Sequence, residues 1–298
     1  ATQKAWMLLL EGPYRQGTNG TEKSSIVAAR PALDVKKSGP NAGLEIPYDP
    51  ALIIRAQSLL LEDADKLSAS RPYRFDLVDV QRQMMTNLGQ LIHRKAAEAF
   101  RSKDREAFTL HSGRFLGMLA DMDTLLRTRS EYSFDRWLTE ARSWGETEEE
   151  KNQMERDATS LVTIWGADGD PRIFDYSWRE WAGLINGYYL PRWQKFYTML
   201  QQHLDEGTSY EEAGLPQIYG REAFRANDFY HTLAEWELSY VDTYGKARIP
   251  ATEGDEVDIV KRLFKKYFKL SQEYYTDSIK LIKPSRDERT YENLGEDL

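Results

Sequence analysis

Apolar residues recur at intervals of three or four along most of the chain, which is the spacing of one face of an α-helix. Leu77, Val80, Met84, Leu88, Leu91 and Ala99 trace one such stripe between charged positions. Phe108, Phe115, Leu119, Met122 and Leu126 trace the next. Val257, Val260, Leu263, Phe264, Tyr267 and Phe268 place a last strong helix between Asp255 and Tyr275. Start signals sit where these stripes need them. Asp49-Pro50 offers an N-cap carboxylate and a proline preset for the first helical position. Ser133 opens another helix, and Glu148-Glu149-Glu150 loads the first turn of one that runs towards Trp165-Gly166, where acidic side chains complement the helix dipole. Alternating strand patterns bounded by Asn-Gly turns are missing. The pattern predicts an all-α fold: a single irregular helical bundle of about eight or nine helices over residues 1–298, with no fixed internal repeat. The stretch from Gly12 to Pro47, rich in Gly and Pro, is too long to be a plain connection and should pack over something or carry function.

Composition narrows the function classes. The chain has 298 residues, 41% of them hydrophobic, enough for a sizeable core. A net charge of −8 argues against a broad electrostatic grip on nucleic acid. Apolar runs such as Met7-Leu8-Leu9-Leu10 are far too short to span a membrane. With no Cys, disulfides, thiolate metal sites and Cys nucleophiles are excluded. His93, His111, His203 and His231 are scattered, so no metal and no cofactor is expected. Ala1-Thr2-Gln3-Lys4-Ala5-Trp6 carries neither an initiator Met nor a leader pattern and reads as a cut end of a longer chain. Asn19-Gly20-Thr21 matches a glycosylation acceptor. Eight Trp, seventeen Tyr and eleven Phe stand out; aromatics fill cores, and Tyr and Trp also offer the mixed apolar and polar surface that suits a sugar.

The densest stretch lies between Leu161 and Leu200. Trp165-Gly166 reads as a helix end, a polar loop through Asp168-Gly169-Asp170-Pro171 follows, and Asp175-Tyr176 reads as the next helix start with Asp175 as its N-cap. That arrangement brings an indole, a carboxylate and a phenol to one edge. Trp178, Trp181, Tyr188, Tyr189 and Trp193 read as core, and Arg192 as an internal ion-pair or cation–π partner. Gly183 and Gly187 are expected on one helix face against a close neighbour, with Pro191 kinking or ending the helix. Glu180, Glu235 and Glu237 adjoin tryptophans but read as solvated helix edges rather than catalytic acids.

This segment resembles the C-terminal helical domain of the α-N-acetylglucosaminidases, glycoside hydrolase family 89. The residues that carry the resemblance are Ile164-Trp165-Gly166, Asp175-Tyr176, Ala182-Gly183-Leu184 and Tyr188-Tyr189-x-Pro191-Arg192-Trp193. Ala5-Trp6-x-Leu8-Leu9, the run from Arg71-Pro72 to Gln83, and Asp258-Ile259-Val260-Lys261 with Lys266-Tyr267-Phe268 extend it over nearly the whole chain. The resemblance implies a C-terminal domain of a secreted or periplasmic, or else lysosomal, exo-acting retaining hydrolase of terminal α-linked N-acetylglucosamine. Its two catalytic carboxylates would lie on an upstream (β/α)8 barrel, so no catalytic residue is assigned here and the chain alone is expected to be inactive. Trp165, Tyr176 and Asp175 are the candidate substrate contacts, with an N-acetylglucosamine-terminated glycan and the upstream barrel as partners. A non-catalytic helical glycan-binding protein is the competing class, and a purely structural scaffold a third.

Overall fold

The computed structural model describes residues 1–14, 24–39, 42–165, 175–210, 212, 227–243 and 253–275. Gly166, the Asp168-Gly169-Asp170 loop and Asn19-Gly20-Thr21 lie outside the described residues. The class is all-α: among the described residues there are ten α-helices and a single two-stranded hairpin. The helix beyond the expected eight or nine is explained by α3, Ala64–Leu67, a single turn too short to show periodicity. The chain gathers into two compact units.

The first unit comprises residues 1–18, 46–91 and 254–298. Its helices are α1 (Thr2–Glu11), α2 (Ala51–Glu62), α3, the larger part of α4 (Arg71–Arg101) and α10 (Glu256–Tyr274). Both α1 and α10 pack on α2. The N-cap signals act as the sequence implies: Asp49 Oδ1 accepts from the Ala51 N–H at 3.0 Å, and Asp255 Oδ1 from the Val257 N–H at 2.9 Å. Helix α1 has no cap of its own and borrows one. The Thr2 N–H donates to Asp63 Oδ2 at 2.8 Å, and this bond holds the Asp63 carboxyl down to about 2. Inside the unit, the buried Gln57 ties α2 to α4, its Nε2 donating to the Leu77 carbonyl at 3.1 Å.

The second unit comprises residues 19–45 and 92–253. It holds the end of α4, α5 (Arg105–Leu126), α6 (Phe134–Arg142), α7 (Glu148–Leu161), α8 (Leu190–Glu206) and α9 (Asp228–Asp242). Pairs α5–α8, α6–α7 and α7–α9 are in contact. Its centre is aromatic: Trp193 of α8 lies edge-on to Phe115 of α5 at 4.7 Å and to His93 at 4.8 Å between centroids. His93 Nδ1 and Tyr197 Oη share a hydrogen bond of 2.8 Å, and burial pushes the imidazole down to about 4. The Gly- and Pro-rich stretch does pack inward: residues Ser25–Leu33 are buried and run through the core. The hairpin β1 (Lys37–Ser38) and β2 (Ala42–Gly43) follows, with Lys37 opposite Gly43.

Candidate functional site

All the structure around Trp165 and Tyr176 belongs to the second unit. Helix α7 ends at Leu161, and turns carry the chain to Trp165, whose N–H donates to the Ser160 carbonyl at 2.7 Å. Where the sequence predicts a helix opening at Asp175, the structure has a turn. Asp175 has φ +58° and Trp178 φ +31°, left-handed values that no helix can contain. The N-cap reading of Asp175 is therefore corrected, and the physical reason is visible. Its N–H donates to the Thr163 carbonyl at 2.7 Å and its Oδ2 accepts from Arg192 Nη1 at 2.9 Å, contacts that hold the residue in the turn. The chain then runs without regular secondary structure to Ala182, whose N–H donates to the Tyr132 carbonyl at 2.8 Å beside the start of α6. Helical structure resumes only with one π-helical turn, Ile185–Tyr189, leading into α8.

The turn carries a cluster of rings. Tyr176 lies 5.0 Å from Trp165 and 6.0 Å from Trp178 between centroids, and all three residues are half-buried. Trp165 is itself left-handed, at φ +43°. Left-handed non-glycine residues each cost about 1–3 kcal/mol and persist only where the surroundings over-determine them. Here three of the four non-glycine residues with positive φ among the described residues fall on this one feature. A glycine makes room for it. A Cβ on Gly39, itself at φ +68°, would stand 2.9 Å from the Asp175 carbonyl oxygen.

Beneath the rings is a knot of four buried charges. Asp175 is fully buried, and its Oδ2 accepts from Arg192 Nη1 at 2.9 Å. The same nitrogen donates to Glu237 Oε1 at 3.0 Å, and Arg192 Nη2 to the Ala28 carbonyl at 3.0 Å. Arg30 Nη2 donates to Glu237 Oε2 at 3.0 Å. The Arg192 guanidinium also lies 4.5 Å from the Tyr188 ring centroid, and Arg30 5.1 Å from that of Tyr230. Two cations and two anions balance. Burial nevertheless pushes the Asp175 carboxyl up to about 6 against the pull of Arg192.

The sequence-predicted residues thus divide. Trp165 and Tyr176 come together, both half-buried, and are joined by Trp178, which helical spacing places in the core but which is half-buried here. Asp175, next to Tyr176 in the chain, is fully buried with its carboxylate paired to Arg192. Tyr188, Tyr189 and Trp193 are core, and Arg192 is the internal ion-pair and cation–π partner its setting suggested. Glu180 and Glu237 are corrected. Neither is a solvated edge: Glu180 is buried and accepts from the Ser25 hydroxyl, and Glu237 closes the charge knot. Glu235 is exposed, 3.4 Å from His231. Glu237 could have been found from its register, because Tyr230, Leu233, Ala234 and Val241 put it on the apolar stripe of α9. Arg30 could have been found as a lone charge between Ile26-Val27-Ala28-Ala29 and Ala32-Leu33. Among the described residues no three His, Asp or Glu side chains gather as metal ligands, and no helix is long and apolar enough to cross a membrane.

Fold and site together define an all-helical domain in which Trp165, Tyr176 and Trp178 gather at a strained turn beside a buried charge cluster. The same architecture occurs in the family 89 glycoside hydrolase of Clostridium perfringens. Its structure in complex with 2-acetamido-1,2-dideoxynojirmycin matches 92% of this chain and 29% of that one, at 25% identity and TM-score 0.75. The complex of that enzyme with PUGNAc matches 93% and 30%, at 24% identity and TM-score 0.77. The chain belongs to the α-N-acetylglucosaminidase C-terminal domain family, whose profile matches residues 1–266. Human α-N-acetylglucosaminidase is 30% identical over 270 residues, which cover 89% of this chain and 33% of the human protein. The chain therefore spans about a third of the length of these relatives.

Proposed function

We propose that this chain, residues 1–298, is the C-terminal helical domain of an exo-acting retaining glycoside hydrolase that removes terminal α-linked N-acetylglucosamine. In this reading it packs beside a (β/α)8 barrel and walls the sugar pocket. The barrel supplies both carboxylates, about 5 Å apart as retention requires. The helical domain supplies a surface. Trp165 lays its indole against the apolar face of the sugar, Tyr176 donates to a ring substituent, and both hold the ring against the reacting groups. Asp175, named from the sequence as a third contact, takes part from beneath. The compartment is secreted, periplasmic or lysosomal, and no cofactor enters the chemistry.

The observation that carries the reading is the cluster of half-buried Trp165, Tyr176 and Trp178 at a turn where Trp165, Asp175 and Trp178 have left-handed backbone. Strain at accessible aromatics has no use in a core. The family supplies the sugar: the Clostridium perfringens enzyme has been seen with its substrate GlcNAc-α-1,4-galactose. The test is hydrolysis of an aryl α-N-acetylglucosaminide, with the first product read by proton NMR. The complete enzyme should release the α-anomer first, and this chain by itself should release nothing. Turnover by the isolated chain, or initial β-anomer, would contradict the proposal. Glycan binding by a complete protein that hydrolyses nothing would favour the non-catalytic binding module instead.

A further inference from the structure

The two halves of the aromatic platform are tied together at a single residue. The Asp175 N–H bonds to the carbonyl of Thr163, two residues before Trp165, and Asp175 itself immediately precedes Tyr176. Its carboxylate runs the other way, into Arg192. Arg192 cannot follow a moving turn. Glu237 holds the same nitrogen, the Ala28 carbonyl holds its other nitrogen at 3.0 Å, and Arg30 holds Glu237 in turn. Three acceptors spread over its two terminal nitrogens fix the direction of the guanidinium as well as its distance.

Stability alone does not call for such a device. A buried ion-pair network is generally no more stabilising than apolar side chains of the same volume. What charge provides here is geometry. It holds Asp175 at φ +58° with its carbonyl seated against the backbone of Gly39. We infer that the Asp175–Arg192 pair, backed by Glu237, is a positioning device that sets the separation and tilt of Trp165 and Tyr176. Asp175 acts on the sugar through those rings and does not touch it. The inference rests on the platform being a sugar-contact surface.

The test is a kinetic double-mutant cycle in the complete enzyme. A misplacement of the order of an ångström costs up to about a hundredfold in rate, so Asp175→Asn should lower kcat/KM between about ten- and a hundredfold. Gly39→Ala leaves the charge knot intact but displaces the same turn, and should reproduce the loss. Trp165→Phe/Tyr176→Phe should lower kcat/KM by itself. In that background Asp175→Asn should add less than about twofold, because the groups it positions are gone. Asp175→Asn and Gly39→Ala enzymes with wild-type kcat/KM and lowered melting temperature would overturn the positioning role while leaving the platform standing. Full multiplication of the losses would overturn it too, as would failure of both single variants to fold, which would assign both residues to the fold. Wild-type kinetics in Trp165→Phe/Tyr176→Phe would instead end the platform reading, and the inference with it.

Discussion

Arg192 shows how one residue can be costly to bury and costlier to lose. Its guanidinium is sealed from water and bonded to two carboxylates and a backbone carbonyl. Removing it takes from Asp175 the guanidinium bonded to its Oδ2 and from Glu237 one of its two arginine partners. Arg192→Cys should therefore lower unfolding stability by about 3–5 kcal/mol, as expected for an uncompensated buried charge. Chemical denaturation at pH 7 measures it, and an unchanged midpoint would show that the knot is not the anchor described here. Arg192 itself was legible, sitting in a Tyr-Tyr-x-Pro-Arg-Trp string where a solvated charge is out of place. Its partners were not. Arg30 and Glu237 are separated by 207 residues. Local pattern marks each as a charge on an apolar stripe, but only the tertiary fold says that they meet.

The element that most repays attention is the entry to α8. Pro191 has no N–H to donate to the carbonyl four residues back, and its ring crowds that carbonyl. The chain answers with a wider turn, in which the Leu190 N–H reaches the Ile185 carbonyl. The expected kink is thus absorbed ahead of the helix, and α8 then runs without interruption to Glu206. Gly183 lies outside any helix, at φ +86°, while Gly187 sits in the π-turn. The close neighbour predicted for Gly187 is real, but it is a side chain: a Cβ there would stand 3.1 Å from Tyr240 Oη of α9. Gly187→Leu should overpack this contact and lower stability by roughly 1–3 kcal/mol. A melting temperature equal to wild type would mean that α9 yields without loss. At this scale the sequence was read well where periodicity is long, as in α4, α5 and α10, and where a cap residue marks a start. It was misread at Asp175, because the same Asp that caps helices also tolerates left-handed backbone. The choice between the two is made by Arg192 and Thr163, which lie elsewhere in the chain.

At the scale of the molecule, two helical units carry different work. The first is built from amphipathic helices with borrowed and local caps. The second encloses a buried segment, an aromatic centre and the charge knot, and bears the platform. The all-α class followed from a single dominant period. The two-unit partition did not, because α4 passes without a break from Leu91 in one unit to Ile92 in the other, and a continuous stripe gives no sign of it. In the proposed function the complete enzyme places its sugar against Trp165 and Tyr176. Hydroxyl-radical footprinting of that enzyme, read by mass spectrometry with and without saturating 2-acetamido-1,2-dideoxynojirmycin, tests this most directly. Trp144, which is 83% exposed in the loop between α6 and α7, serves as the internal reference. Inhibitor should lower labelling of Trp165 and Tyr176 severalfold and leave Trp144 unchanged. Equal labelling of Trp165 and Tyr176 in the two states would contradict it.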